Sequence, residues 1–280
     1  MKNIIACIDN TDISTSVSDY SSWASLRLDA PLELLHVLDK SEYPVWTNLS
    51  GSIGLGSREA LLRELAELDE KRGRLALEQG KKMLDSAKER AIADGVTDPI
   101  TRQRHGSLVE CLLEAEEDTR LVVLGKHDEN LGAHIGSRLE SVVRSLHRPI
   151  LVCPPEFKTP ERIMIAFDGS NTTRKAVEMV GRSPLFQGFP CHVVTVGEES
   201  ENNRSQLQWA AETLEKQGFE VTTSLVRGDV ESRLNEYCQT HNIDIMVMGA
   251  YGHSVIRRFL VGSTSTSVIR NARIPVLLLR

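Results

Sequence analysis

Short unbroken apolar runs alternate along this chain with longer stretches in which apolar residues return at helical spacing. IMIAF (163–167), IMVM (245–248) and VLLL (276–279) contain nothing polar. Such runs mark strands buried on both faces, as in a parallel sheet covered by helices. In the C-terminal part the pattern predicts strands near 162–168, 190–196, 220–226, 244–249 and 275–279. Helices are predicted near 171–182, 203–217, 229–240 and 263–272. Strict alternation of strand and helix implies right-handed βαβ crossovers.

The same order occurs twice. NIIACID (3–9) matches RIMIAFD (162–168), each an apolar run closing on Asp, and Asp9 lies 159 residues before Asp168. RHGSLVECLLEA (104–115) matches VRGDVESRLNEY (226–237), and LVVLGK (121–126) matches IMVMGA (245–250). Gly136-Ser137 and Pro149 return 126 residues later as Gly262-Ser263 and Pro275. The offset falls from 159 at Asp9 to 122 at Gly106, so the first copy carries 37 extra residues. They lie mostly in 40–99, a polar loop with Trp46 and then a long charged helix at 58–93. The Pro-rich polar segment 154–161 reads as a linker between a domain at 1–154 and another at 160–280. Ser107 and Asp229 stand where helix N-caps are needed, and Glu110 completes a capping box with Ser107. Pro149 and Pro275 border the last strand of each copy, where Pro is tolerated.

The length of 280 residues suits about two domains and can bury cores without disulfide or metal. The net charge of −6 argues against bulk nucleic-acid binding. No apolar run approaches the roughly 20 residues of a membrane span, so no membrane partner is expected. MKNIIACIDN reaches Asp9 too soon for a signal peptide. Cys7, Cys111, Cys153, Cys191 and Cys238 show no C-x-x-C and read as small core hydrophobes in a reducing cytoplasm. Cys7 and Cys153 are expected on neighbouring core strands.

The chemistry concentrates in the second copy, after the strand that ends at Gly249. The sequence runs Gly249-x-x-Gly252, nine residues, then Gly262-Ser263. A parallel sheet brings this loop to its C-terminal edge, where ligands of open α/β sheets sit. Glycines three apart allow close approach of backbone to a ligand. Gly262-Ser263-Thr264-Ser265 opens a helix whose free N–H groups, with the Ser hydroxyls, suit phosphates. The plainer alternative is that Gly249 and Gly252 only turn the chain and Gly262 only breaks a helix.

The strand ending in Asp, the G-x-x-G, the nine-residue spacer, the G-S and the closing Pro-Val-Leu strand resemble the universal stress protein family. The resemblance covers both copies and implies a tandem form: two five-stranded parallel-sheet, Rossmann-like α/β domains packed as a pseudo-dimer. Members of that family dimerise through the last strand, which points to contact between 150–153 and 275–279, and to a homodimer of two-domain chains. One subclass binds ATP with this glycine motif. On that resemblance Ala166, Phe167 and Asp168 meet adenine and ribose, and Val196 meets adenine through its backbone. Met248 and Gly249 line the ribose side, while Gly252, His253, Gly262, Ser263, Thr264 and Ser265 hold the phosphates. Asp168 has a second reading as a cap of the following helix. The cofactor implied is ATP, alone or with Mg or Mn. In the first copy Asp128 stands where the second glycine belongs and the spacer is seven residues, so weak binding or none is expected there.

The histidines, including His105, His127, His134 and His147, lack metal-ligand spacing. Ser263 lacks the context of an acyl nucleophile. Arg257 and Arg258 lie in the spacer, where one could pair with a γ-phosphate. Tyr43, Trp46 and Leu49 offer a partner-binding surface in the 40–57 loop. The reading is a cytoplasmic, ATP-binding stress-response regulator acting on an unknown protein partner, with no catalytic residue and at most slow hydrolysis or autophosphorylation. The alternatives are a nucleotide-independent scaffold or chaperone-like protein, and an ATP-dependent enzyme of the adenine-nucleotide α-hydrolase-like group. That group has a Gly-rich loop where this chain has FDGSNTT.

Overall fold

The computed structural model describes residues 2–38, 55–126, 137–249 and 265–280. The first half runs β1 (Asn3–Cys7), α1 (Ile13–Leu28), β2 (Leu32–Leu38), α2 (Leu55–Ala93), β3 (Ile100–His105), α3 (Leu108–Glu114), β4 (Thr119–Gly125), α4 (Ser137–Ser145) and β5 (Ile150–Cys153). The second runs β6 (Ile163–Ala166), α5 (Asn171–Arg182), β7 (Cys191–Val196), α6 (Glu201–Glu215), β8 (Val221–Val226), α7 (Val230–Thr240), β9 (Ile245–Gly249), α8 (Ser265–Asn271) and β10 (Val276–Leu279).

These strands form one sheet in the order β3-β2-β1-β4-β5-β10-β9-β6-β7-β8. Every neighbouring pair is parallel except β5 with β10. At that seam Leu151 pairs with Leu277, Ile150 with Leu278 and Val152 with Val276. Leu151 and Leu277 are repeat mates, so the seam register is that of a two-fold axis through this pair. Each closing strand is an apolar edge, and pairing the two removes both from water.

Strand side chains alternate between two cores. Ile4, Ala6, Ile163 and Ile165 enter a core covered by α1, α2, α5 and α6. Ile5, Cys7, Met164 and Met246 enter another, covered by α3, α4, α7 and α8. Cys7 and Cys153 are not on neighbouring strands: β4 lies between β1 and β5, and the two thiols enter opposite cores. Asp229 caps α7 by accepting from the Ser232 N–H at 3.0 Å. Ser107 holds the N-cap position of α3 but its side chain makes no cap bond, so the capping box with Glu110 does not form.

The halves also brace each other at helix ends. Lys126 Nζ donates to the carbonyls of Arg270 (2.6 Å) and Ala272 (2.9 Å) at the C-terminus of α8. Arg280 donates to Arg144 (3.1 Å) and Leu146 (3.0 Å) at the C-terminus of α4. The four acceptors are repeat mates, and each cation answers the negative end of a helix in the other half.

Candidate functional site

The strand order of the second half reverses between β6 and β9, and connections leave to opposite sides there. This opens a crevice beyond the C-terminal strand ends. Ala166 pairs with both Val194 and Met248, so the three strands reach that edge level with one another. Ala166, Phe167, Asp168, Val196, Met248 and Gly249 are thereby brought to one edge.

Their roles differ. Asp168 is exposed, and its Oδ1 accepts from the Ser170 N–H (2.9 Å) and the Thr173 hydroxyl (2.7 Å). Ser170 is the N-cap of α5 and accepts from the Thr173 N–H at 3.3 Å. Asp168 thus supports the start of α5 with one oxygen, while Oδ2 has no bond among the described residues. Phe167 points into the core, where its ring stacks on Trp209 at 6.2 Å. Its N–H donates to Val194 O and its carbonyl accepts from the Thr195 hydroxyl, each at 2.8 Å. Phe167 therefore holds the edge in place and offers a ligand little beyond a second carbonyl lone pair. Met248 is buried and Ala166 half-buried against the opposite core.

Val196 presents main-chain groups. Val194 O faces β6 and bonds Phe167, whereas Gly197 N faces β8 and donates to Val226 O at 2.9 Å. Backbone groups alternate in direction along a strand. The N–H and C=O of Val196 are therefore directed to the β6 side, beyond the last β6 residue. Both groups stand at the crevice between β6 and β9.

Gly249 has a packing reason of its own. A Cβ there would lie 3.1 Å from Thr172 Cγ2 and 3.2 Å from Thr173 Cγ2, so its absence seats the first turn of α5 on β9. Gly252, His253, Gly262, Ser263 and Thr264 lie outside the described residues, as do Arg257 and Arg258. Ser265 opens α8, and nothing is described of its side chain.

Two neighbours escaped the sequence reading. Arg174 Nε donates to Gly169 O (3.3 Å), and its guanidinium lies 4.5 Å above the Trp209 ring. Gln206 occupies the space a side chain at Gly169 would take, and Gly169 has φ +72°. The signal that could have found this rim is a hydroxyl five residues after Asp in both copies. Ser14 donates to Asp9 Oδ1 at 2.9 Å as Thr173 does to Asp168. The first half also has His36 where the second has Thr195. Its Nδ1–H donates to Ile8 O at 2.8 Å, a carbonyl acceptor that puts the proton on Nδ1.

In the first half Asp128, Gly132 and Gly136 lie outside the described residues, as do His127, His134, Tyr43, Trp46 and Leu49. His105 and His147 are exposed, and no group of three His, Cys, Asp or Glu among the described residues could hold a metal. All five thiols are free and buried. Burial pushes Cys191 and Cys238 up to about 12 and raises the others, which makes them poor nucleophiles near neutrality. No helix among the described residues is long and apolar enough to cross a membrane.

Comparison with known proteins agrees with the repeat. The model of the universal stress protein family matches residues 1–154 and again 160–280. A universal stress protein of Synechocystis sp. is 34% identical over 287 residues, covering 100% of both chains. The crystal structure of a universal stress protein from Archaeoglobus fulgidus superposes with a TM-score of 0.71 at 18% identity, covering 100% of this chain and 96% of that one. A Pseudomonas aeruginosa structure gives a TM-score of 0.61 at 16% identity, over 100% and 93%.

Proposed function

The chain belongs to the universal stress protein family in both of its halves, and we propose that it is a cytoplasmic, adenine-nucleotide-binding regulator of a stress response. The domains are 1–154 and 160–280, and ATP occupies the second. The observation that carries this reading is a pair of polar groups at the crevice that have no partner among the described residues: the main-chain edge of Val196 and Asp168 Oδ2. An N–H beside a C=O matches the ring nitrogen and amino group of adenine, and a carboxylate oxygen matches a ribose hydroxyl. Met248 and Gly249 would line the ribose side, and Gly252, His253, Gly262, Ser263, Thr264 and Ser265 would hold the phosphates, where Mg or Mn would supply neutralising charge. Bound nucleotide changes the surface offered to a protein partner. Turnover beyond slow hydrolysis or autophosphorylation is not part of the proposal.

One observation favours a nucleotide-independent scaffold. The Asp–hydroxyl bond that supports α5 recurs at Asp9 and Ser14 in the half whose glycine motif is broken. The frame itself therefore requires this Asp. Heat-denaturing freshly purified protein and running the supernatant on anion exchange separates the readings. One adenine nucleotide per chain, lost in Gly262→Val, is expected. No nucleotide, together with no heat on titration with Mg-ATP, would leave the scaffold. Two per chain would place a second ligand in the first domain.

A further inference from the structure

The two-fold frame creates two equivalent grooves on the α1/α5 face of the sheet, and only one is filled by the described residues. In the filled groove the linker lies across α1 and the start of β9. Pro154 O accepts from Ser16 at 2.6 Å, the Phe157 ring meets Tyr20 edge-on at 4.7 Å, and the Lys158 N–H donates to the Tyr20 hydroxyl at 3.3 Å. Asp244 anchors the segment: it accepts from Lys158 Nζ (2.5 Å) and from the N–H groups of Glu161 (3.1 Å) and Arg162 (3.0 Å). Tyr20 is left 1% exposed.

The mate groove is a cavity of about 520 Å³ between α5, the start of β4 and the end of β10. The repeat offsets put Lys175 at the place of Ser16, Met179 at that of Tyr20 and Arg120 at that of Asp244. Met179 is 40% exposed. Lys2, Arg148 and Arg182 add three more cations to the lining against one carboxylate, Glu178. Arg120 and Arg148 reach main-chain carbonyls, of Leu28 at 3.1 Å and Glu116 at 2.8 Å. None of the five cations is paired with a carboxylate among the described residues. The anchoring charge is thus reversed between the grooves, while Leu277 and Leu279 keep the floor apolar, as their mates Leu151 and Cys153 do in the filled groove.

We propose that this groove binds a peptide segment of a partner protein, seated as the linker is seated in its mate, with an acidic side chain on Arg120 and an aromatic one on Met179. The filled groove shows that this cleft accommodates polypeptide. The reversed anchor selects an acid where the linker presents Lys158. A thioether against an aromatic ring is a favourable contact that adapts to different partners, and Lys175 can donate to a main-chain carbonyl as Ser16 does.

The test uses the full chain and two fluorescent, terminally blocked peptides of residues 154–161, one unaltered and one carrying Lys158→Glu. The altered peptide should bind about tenfold more tightly than the unaltered one, with the preference fading as salt is raised. In Arg120→Asp the order of the two peptides should reverse. Met179→Ala, at an exposed position, should weaken the altered peptide several-fold and serves if Arg120→Asp does not fold. Absence of binding up to about 1 mM, where affinity is only about −4 kcal/mol, would overturn the proposal. So would equal affinity for both peptides, an unreversed order in Arg120→Asp, an unaffected Met179→Ala, or displacement of the peptide by millimolar inorganic phosphate.

Discussion

At the end of β1 the carbonyl of Ile8 accepts from His36 Nδ1; at the end of β6 that of Phe167 accepts from the Thr195 hydroxyl, both at 2.8 Å. Serine in one half and threonine in the other support the Asp that opens the first helix. The C-terminus of α8 is met by a lysine that follows β4, and that of α4 by an arginine that follows β10. These three pairs show a backbone frame that sets polar demands at fixed places and leaves the side chain that meets them free to vary. The two grooves show the opposite. The same positions carry Asp244 and Arg120, and the demand itself has changed sign.

The largest effect expected from this comparison is at Asp244. Asp244→Ala leaves the N–H groups of Glu161 and Arg162 and the Lys158 ammonium without their acceptor and should cost about 3 kcal/mol of stability in urea denaturation, roughly 1 for each bond lost. Arg120→Ala, at the repeat mate, should cost about 0.5 kcal/mol. Equal losses would mean that both grooves are structural and would end the contrast between them. Next come the glycines at the strand ends. A Cβ at Gly125 would fall 2.3 Å from Ile13 Cγ2, against 3.1 Å from Thr172 Cγ2 at Gly249. Gly125→Ala should cost about 2 kcal/mol and Gly249→Ala about 1 kcal/mol, read as thermal midpoints. The reverse order would show that Gly249 answers to something other than the seating of α5. The smallest effect belongs to the cations on the helix ends. Lys126→Met and Arg280→Met should each lose about 0.5–1 kcal/mol, shrinking in high salt. A silent result at one of them would break their equivalence.

Much of this frame was readable before any coordinates. Helix α5 falls at 171–182 as its apolar spacing predicts, because Ser170 stops the strand and caps the helix in one step. The seam was legible from two apolar closing runs with nowhere else to go. Asp168 as the cap of the following helix, one of its two readings, was legible in part: the N-cap is Ser170, and Asp168 accepts from its N–H and from the Thr173 hydroxyl. Other features needed three dimensions. The Ser107 box has the right letters and no bond. Cys7 and Cys153 are parted by β4, because the fourth strand returns to the first strand's far side. The direction of the Val196 main chain shows only in the strand pairing, while its adenine role comes from family resemblance alone. The reversed groove appears only when Arg120 is laid on Asp244, residues 124 apart in sequence and unremarkable singly.

The antiparallel seam has one more consequence. Family resemblance assigns the last strand to dimer formation, and here both such strands are taken within one chain. Further association through sheet edges is left to β3 and β8, and β3 (ITRQRH) is polar and carries Arg102 and Arg104. Had the two halves been separate gene products, they would sort at random into like and unlike pairs, and a change that suited only the unlike pair would be diluted by the others. Joined by one linker, every molecule is the unlike pair. Each half can then lose what the other retains, and a surface that exists only across the seam is inherited as a single trait.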